Sequence, residues 1–127
     1  MTAEGQVAIL VADLCGFSAM CEADPDAALA GVTTFRRRAA RLLRDALHIH
    51  FWADNLAATF PGLPEARAAA SALHAEFRCS IGIGWGPARY DFGEIWGVEM
   101  NRAAKLGEDA AGPGETLTTK AAEAMIR

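Results

Sequence analysis

The 127-residue sequence lacks the usual marks of a secreted, membrane-embedded or nucleic-acid-binding protein. Its three cysteines are odd in number and form no C-x-x-C pair, so reduced thiols in a cytosolic protein are expected. The longest apolar run, residues 7–12, is too short to span a bilayer, and the first five residues do not resemble a signal peptide. A net charge of -4 argues against nucleic acid as the main partner. We therefore expect a cytoplasmic protein whose partners are neither membrane nor nucleic acid.

What the sequence does contain is enough for one folded domain. Hydrophobic residues make up 52% of the chain and charged residues 22%, which suits a core with a soluble surface. No internal repeat, low-complexity segment or linker divides the chain. A length of 127 residues is near the common size of a domain. The sequence therefore predicts a single domain over residues 1–127.

Hydrophobic periodicity and turn residues predict the element order β-α-ββ-α-ββ-α-β-α. Asp24 and Pro25 are typical of a helix start, and Thr118 or Thr119 is expected to cap the last helix. The predicted strands are 6–12, 48–52, 56–60, 79–84, 88–94 and 115–117, with a turn at 84–87, and further helices cover 65–77 and 96–108. This order favours an α+β fold, a ferredoxin-like α/β sandwich with helices on one face of a mostly antiparallel sheet.

Two aspartates end strands that are predicted to be neighbours. Asp13 closes the first strand, and Asp54 lies at the tip of the hairpin 48–60. If that strand lies beside the hairpin, the two carboxylates meet at one edge of the sheet, and such a pair suits Mg²⁺. The backbone N–H groups of Gly16, Phe17 and Ser18 follow closely and are suited to phosphate. The alternative is that each aspartate only caps a strand or a turn.

Two other polar clusters have simpler interpretations. Five arginines fall within residues 36–44; a solvated helix face is favoured there over a phosphate or nucleic-acid patch. His48 and His50 share one face of a predicted strand, as zinc ligands do, but no third ligand is evident nearby.

Five blocks of sequence follow one another along nearly the whole chain: V-A-D-L-C-G-F-S (11–18), H-F-W-A-D (50–54), I-G-I-G-W-G-P (81–87), E-I-W-G-V-E-M-N-R-A-A-K-L (94–106) and G-P-G-E (112–115). They resemble, in order, the F-x-D-I-x-G-F-T metal motif, the K-x-x-G-D block, the G-I-x-x-G-P turn, the D-x-W-G-x-x-V-N-x-A-S-R-M stretch and the P-G-E turn of one family. That family is the class III adenylyl/guanylyl cyclase catalytic domains.

The resemblance implies an enzyme that makes a cyclic mononucleotide and pyrophosphate from a nucleoside triphosphate. Asp13 and Asp54, with the carbonyl of Leu14, would hold two Mg²⁺ or Mn²⁺ ions, which activate the ribose 3′-hydroxyl and hold the triphosphate. Asn101 stands at the position that orients the ribose. The resemblance also implies a head-to-tail homodimer, in which one chain supplies the metal residues and its partner supplies the base and ribose residues.

Three departures from the family pattern leave alternatives open. Lys105 stands where the family has a transition-state arginine, and lysine lacks the planar fork of donors. His50 replaces the base-reading lysine and would pair with Glu94; this pair fits neither the usual adenine nor the usual guanine set, and ATP is preferred. The chain also ends soon after the last helix begins, so the family's terminal hairpin with its phosphate-binding lysine is expected to be absent.

The function therefore has three candidates. The first is the cyclase. The second is an impaired pseudo-cyclase that acts as a nucleotide-binding or regulatory dimerisation module, paired with itself or with a fuller homologue. The third is a palm-type polymerase with the same two carboxylates, against which the block around Asn101 argues.

Overall fold

The computed structural model of the protein describes residues 2–126. Six strands form one sheet: β1 (Thr2–Leu14), β2 (His48–Trp52), β3 (Asn55–Phe60), β4 (Cys79–Asp91), β5 (Glu94–Trp96) and β6 (Thr116–Thr118). Five α-helices accompany them: α1 (Phe17–Ala23), α2 (Pro25–Leu42), α3 (Leu63–Glu76), α4 (Val98–Lys105) and α5 (Lys120–Ile126). The strand order is β2-β3-β1-β4-β5, and β6 joins β4 as the one parallel pair described. None of the helices within residues 2–126 combines the length and apolar character needed to cross a membrane.

The predicted α+β architecture is confirmed, with one additional element. The short helix α1 lies between β1 and α2, and it starts from Gly16, whose φ of 83° lies in the left-handed region. The side chain of Asp24 accepts a hydrogen bond from the backbone of Ala27 at 3.1 Å, so Asp24 caps α2 as its sequence indicates. Thr119, rather than Thr118, caps α5, because its hydroxyl accepts a bond from Ala122 at 3.1 Å.

The turn predicted at residues 84–87 is wrong, because β4 runs without interruption from Cys79 to Asp91. The chain reverses later, at Phe92 and Gly93, whose φ angles of 54° and 72° suit a tight hairpin turn. As a result Glu94 begins β5 instead of ending the strand before it. The glycines that suggested a turn serve the packing of a helix instead.

Helices pack on both faces of the sheet, so the prediction that they lie on one face is also wrong. Alternate residues of β1 point to opposite sides, and both sets are buried. On one face, Leu10 packs with the α2 residue Phe35 and the α3 residue Leu73. On the other face, Ile9 packs with α4 through Met100. A strand that is apolar on both faces requires a cover on each side.

Three glycines on one face of β4 let α4 lie directly against the sheet. The registers place Gly82, Gly84 and Gly86 opposite Val11, Ile9 and Val7, all on the α4 side. A Cβ atom on Gly82 would overlap the carbonyl oxygen of Ala103. After Lys105 the helix changes into a π-helical turn, Leu106–Ala110. The glycines therefore allow α4 to lie close to the sheet. The α-helix ends at Lys105, earlier than the predicted helix 96–108.

Candidate active site

The structure brings Asp13 and Asp54 together at one end of the sheet. Asp13 lies near the end of β1, directly opposite Asn55, the first residue of β3. Asp54 lies in the two-residue turn of the β2–β3 hairpin, and its carbonyl accepts a hydrogen bond from the backbone of Leu14 at 3.0 Å. Both aspartates are half-buried. Two residues that are 41 positions apart in sequence thus share one site because β1 and β3 are adjacent.

Arg36 of α2 holds the turn that carries Asp54. Its Nη2 atom donates to the carbonyl of Ala53 at 2.7 Å, and its guanidinium lies 5.8 Å from the centre of the Phe51 ring. A charged donor on a carbonyl restrains the turn more strongly than a neutral one does. The other four arginines in 36–44 are exposed, as expected for a solvated helix face. One of them, Arg38, forms a salt bridge with Glu76 at 2.7 Å.

The site carries an excess of negative charge. Burial and then the neighbouring charge and hydrogen bond of Asp54 raise the pKa of Asp13 from 3.8 to about 7. Glu108 and Asp109, in the π-helical turn, add to this effect. The pKa of Glu108 is itself raised, first by burial and then by Asp109 and Asp54. Neither residue was predicted from the sequence: Glu108 is the last residue of the predicted helix 96–108, and Asp109 follows it.

A pair of carboxylates under mutual repulsion fits a divalent cation that shares its coordination with a ligand. Within residues 2–126, no three His, Cys, Asp or Glu side chains form a metal-holding group. Mg²⁺ is usually held by one or two carboxylates, with water and substrate phosphate filling its other positions. Asp13 and Asp54 therefore suit an ion bound together with a phosphate-bearing molecule.

Asn55 connects this pair to the sheet, and sequence reasoning assigned it only to a turn. It is 8% exposed. With its amide oriented to satisfy its neighbours, Nδ2 donates to Oδ1 of Asp13 at 2.6 Å and Oδ1 accepts from Nε1 of Trp52 at 3.3 Å. Only the pairing of β3 with both β1 and β2 reveals this contact.

Gly16, Phe17 and Ser18 form the start of α1, three residues beyond Asp13. No side chain caps this end of the helix, and the first backbone bond of the turn runs from Met20 to the carbonyl of Gly16 at 3.0 Å. The N–H groups ahead of Met20 lack helical partners, as at any helix start. Their binding of phosphate stays a prediction.

Asn101 and Lys105 lie on the exposed surface of α4, and no contact described within residues 2–126 joins either of them to the carboxylate pair. The charges that raise the pKa of Asp13 come from carboxylates. Lys105 instead lines a groove of about 520 Å³ together with Arg102 and Lys120. The roles of Asn101 and Lys105 toward ribose and phosphate therefore stay predictions.

A buried carboxylate, Glu99, holds α4 in place below that groove. It is 5% exposed; its Oε1 accepts from the backbone of Trp85 at 3.0 Å and from the Thr119 hydroxyl at 2.5 Å. Its Oε2 accepts from Arg102 at 3.1 Å. Burial alone would raise the pKa of Glu99, but these three hydrogen bonds lower it below its usual value. Sequence reasoning gave Glu99 no role, because its partners lie in three different elements.

The two predicted base-reading residues, His50 and Glu94, lie on β2 and β5, which stand at opposite ends of the strand order. The ring of His50 is 4.8 Å from that of Trp52, and its Nδ1 has no hydrogen-bond partner within residues 2–126. Glu94 is exposed at the start of β5, which packs against β2. The other histidine of β2, His48, stacks on Tyr90 at 4.1 Å. No described contact joins His50 to Glu94, so their pairing stays a prediction.

Several solved structures of cyclase domains share this fold. The adenylyl cyclase CyaB from P. aeruginosa matches with a TM-score of 0.75 and 18% identity, over 99% of this chain and 82% of that one. An adenylate cyclase from Trypanosoma brucei matches with a TM-score of 0.81 and 19% identity, over 96% and 76%. An adenylate/guanylate cyclase/hydrolase from Silicibacter pomeroyi matches with a TM-score of 0.80 and 24% identity, over 94% and 78%. Neither a protein-family model nor a curated protein sequence matches the chain. The structural likeness, which extends over nearly the whole chain, gives this protein the fold of the class III adenylyl/guanylyl cyclase catalytic domains.

Proposed function

We propose that the protein is a nucleotide cyclase, which converts a nucleoside triphosphate, with ATP preferred, into a 3′,5′-cyclic monophosphate and pyrophosphate. The observation that carries this proposal is the meeting of Asp13 and Asp54 within the cyclase fold. Asp54 raises the pKa of the half-buried Asp13, and a divalent cation that neutralises this pair of carboxylates would stabilise them. Two Mg²⁺ or Mn²⁺ ions would be held by Asp13, Asp54 and the carbonyl of Leu14.

The chemistry forms a bond from the ribose O3′ to the α-phosphorus and breaks the bond to the bridging oxygen, which leaves with pyrophosphate. Divalent ions held by Asp13 and Asp54 would lower the pKa of the 3′-hydroxyl, so that its proton passes to water, and would offset charge on the phosphates. Asn101 would orient the ribose. Lys105 would face the phosphates, with Arg102 and Lys120 adding positive charge beside it. The N–H groups of residues 16–18 would hold phosphate oxygens, and His50 and Glu94 would contact the base.

We infer that a complete site forms between two copies of the chain, arranged head to tail. No described contact joins Asn101 or Lys105 to the carboxylate pair, which supports a second copy as their source. The turn between β4 and β5 and the start of α4 expose large apolar side chains, Phe92 at 87%, Trp96 at 50% and Val98 at 63%. An exposed apolar patch on a soluble domain is typical of an interaction surface. A homologous chain is the alternative partner.

A second candidate function is a nucleotide-binding or regulatory dimerisation module without turnover. The observation that favours it is Lys105, a flexible side chain on an open groove where the family has an arginine. Such a module would bind nucleotide through the same carboxylates but would form no cyclic product.

The test is to incubate the purified protein with Mn²⁺ and each of the four nucleoside triphosphates and to identify products by mass spectrometry. We expect a cyclic monophosphate that is lost in Asp13→Ala and Asp54→Ala and retained in Asp45→Ala, which removes an exposed carboxylate outside the site. Nucleotide binding without product would support the module, and linear oligonucleotides would indicate a polymerase. Either result would refute the cyclase.

Mixing two inactive variants tests the shared site. In a head-to-tail homodimer of Asp54→Ala with Lys105→Ala, one site carries both defects and the other carries neither. Random pairing in an equal mixture therefore restores about a quarter of the wild-type sites. No recovery on mixing would show that each site is built within one chain or that Lys105 is dispensable, and the activity of Lys105→Ala alone separates these outcomes.

A further inference from the structure

A row of three polar side chains crosses three strands at the carboxylate pair. Asn55 is directly opposite Asp13 in the β1–β3 pairing and directly opposite Trp52 in the β2–β3 pairing. Asn55 is 8% exposed and bonds to both neighbours, at 2.6 Å to Asp13 and 3.3 Å to Trp52. The row runs from Trp52 in β2 through Asn55 in β3 to Asp13 in β1, which is one of the two predicted metal ligands.

The orientation of the Asn55 amide is set by Trp52. An indole N–H only donates, so it requires the carbonyl end of the amide. The NH₂ end must then face Oδ1 of Asp13. The reverse orientation would exchange the bonds to Asp13 and Trp52 for one long bond, 3.4 Å from the NH₂ group to Oδ1 of Asp54, and would place the amide oxygen against the Asp13 carboxylate.

We propose that Asn55, held by Trp52, is a positioning residue that fixes the rotation of the Asp13 carboxylate for a divalent cation; this rests on the proposed metal role of Asp13. The amide binds Oδ1, which restrains the plane of the carboxylate. Carboxylates that bind metals are commonly oriented by such outer hydrogen bonds, and losing one typically weakens metal affinity about 10–100-fold.

The experiment measures binding of Mn²⁺ alone to the full chain, by electron paramagnetic resonance and calorimetry, without nucleotide. Asn55→Leu removes both polar ends of the amide and keeps the same number of side-chain heavy atoms, and Trp52→Phe removes the indole N–H together with part of the ring. Thr59→Val is the matched control, since Thr59 lies on the same strand and face, is 3% exposed and has an unpaired hydroxyl. We expect the dissociation constant to rise about 10–100-fold in Asn55→Leu, less in Trp52→Phe, and not at all in Thr59→Val.

The melting temperature of each variant separates positioning from folding. If Asn55→Leu does not fold, Trp52→Phe alone decides the question. Binding equal to wild type in both folded variants, with Asp13→Ala unable to bind, would overturn the role of Asn55 while the metal site stands. Wild-type protein that binds no Mn²⁺, or Asp13→Ala that binds normally, would overturn the metal site and this inference together.

Discussion

Replacing Gly82 by alanine tests whether α4 rests directly on the sheet. The added Cβ would overlap the carbonyl oxygen of Ala103, and it would lie 2.8 Å from the nitrogen of Gly107 and 3.0 Å from Cβ of Leu106. The first two atoms belong to the backbone and cannot rotate away, so the helix has to shift. Overpacking of this kind costs about 1–3 kcal/mol, and backbone contacts favour the upper end. For a chain of this length we expect the melting temperature to fall by roughly 10 °C.

Gly31→Ala makes the same chemical change where there is room. Gly31 lies inside α2, and a Cβ there meets nothing within 4 Å. Alanine should therefore stabilise the protein by about 0.4–1 kcal/mol. Urea unfolding followed by circular dichroism and tryptophan fluorescence measures both variants. If Gly82→Ala changes the free energy of unfolding by less than about 0.5 kcal/mol, the seating of α4 on β4 described above is wrong.

Three further predictions concern charge, burial and the hairpin turn. Because the folded-state pKa of Asp13 is raised from 3.8 to about 7, the stability of the protein falls as pH rises between these values. Asp13→Asn should therefore stabilise the metal-free protein near pH 8 but not near pH 4. An equal effect at both pH values would contradict this prediction. Glu99→Ala leaves donors of Trp85 and Thr119 unpaired and should cost about 1–3 kcal/mol for each in urea unfolding, whereas Glu94→Ala, at an exposed position, should cost less than about 0.5 kcal/mol. Phe92→Asn suits the left-handed turn before Gly93 and should raise the melting temperature while reducing self-association in sedimentation; an unchanged dimer fraction would place the interface elsewhere.

Local signals were sufficient for the hairpin that carries Asp54. Alternating side chains and a short polar turn predict strands 48–52 and 56–60. In the structure β2 has the predicted bounds, and β3 begins one residue earlier than predicted, at Asn55. The buried first strand was equally evident from its apolar run. The meeting of Asp13 and Asp54 depended in addition on the first strand lying beside this hairpin, a condition that the pairing of β1 with β3 fulfils.

Interactions between distant elements were not predictable in the same way. Gly84 and Gly86 look like turn residues in sequence, but their lack of side chains serves α4, which follows more than ten residues later. Glu99 bonds to β4 and to the start of α5, and neither contact leaves a periodic pattern. Asn55 acquires its role only from pairing on both sides of β3. Each of these depends on tertiary packing, which sequence periodicity does not encode.

The π-helical turn has a consequence for how this surface is able to vary. Ala111 donates to the carbonyl of Leu106 at 2.7 Å, so this loop of helix spans one residue more than an α-helical loop. That surplus residue sets the angle between the α4 surface that carries Lys105 and the acidic pair Glu108 and Asp109. Deleting or inserting one residue here should rotate the acidic pair around the helix axis relative to Lys105. The direction of Lys105 relative to Glu108 and Asp109 therefore depends on the number of residues in this turn.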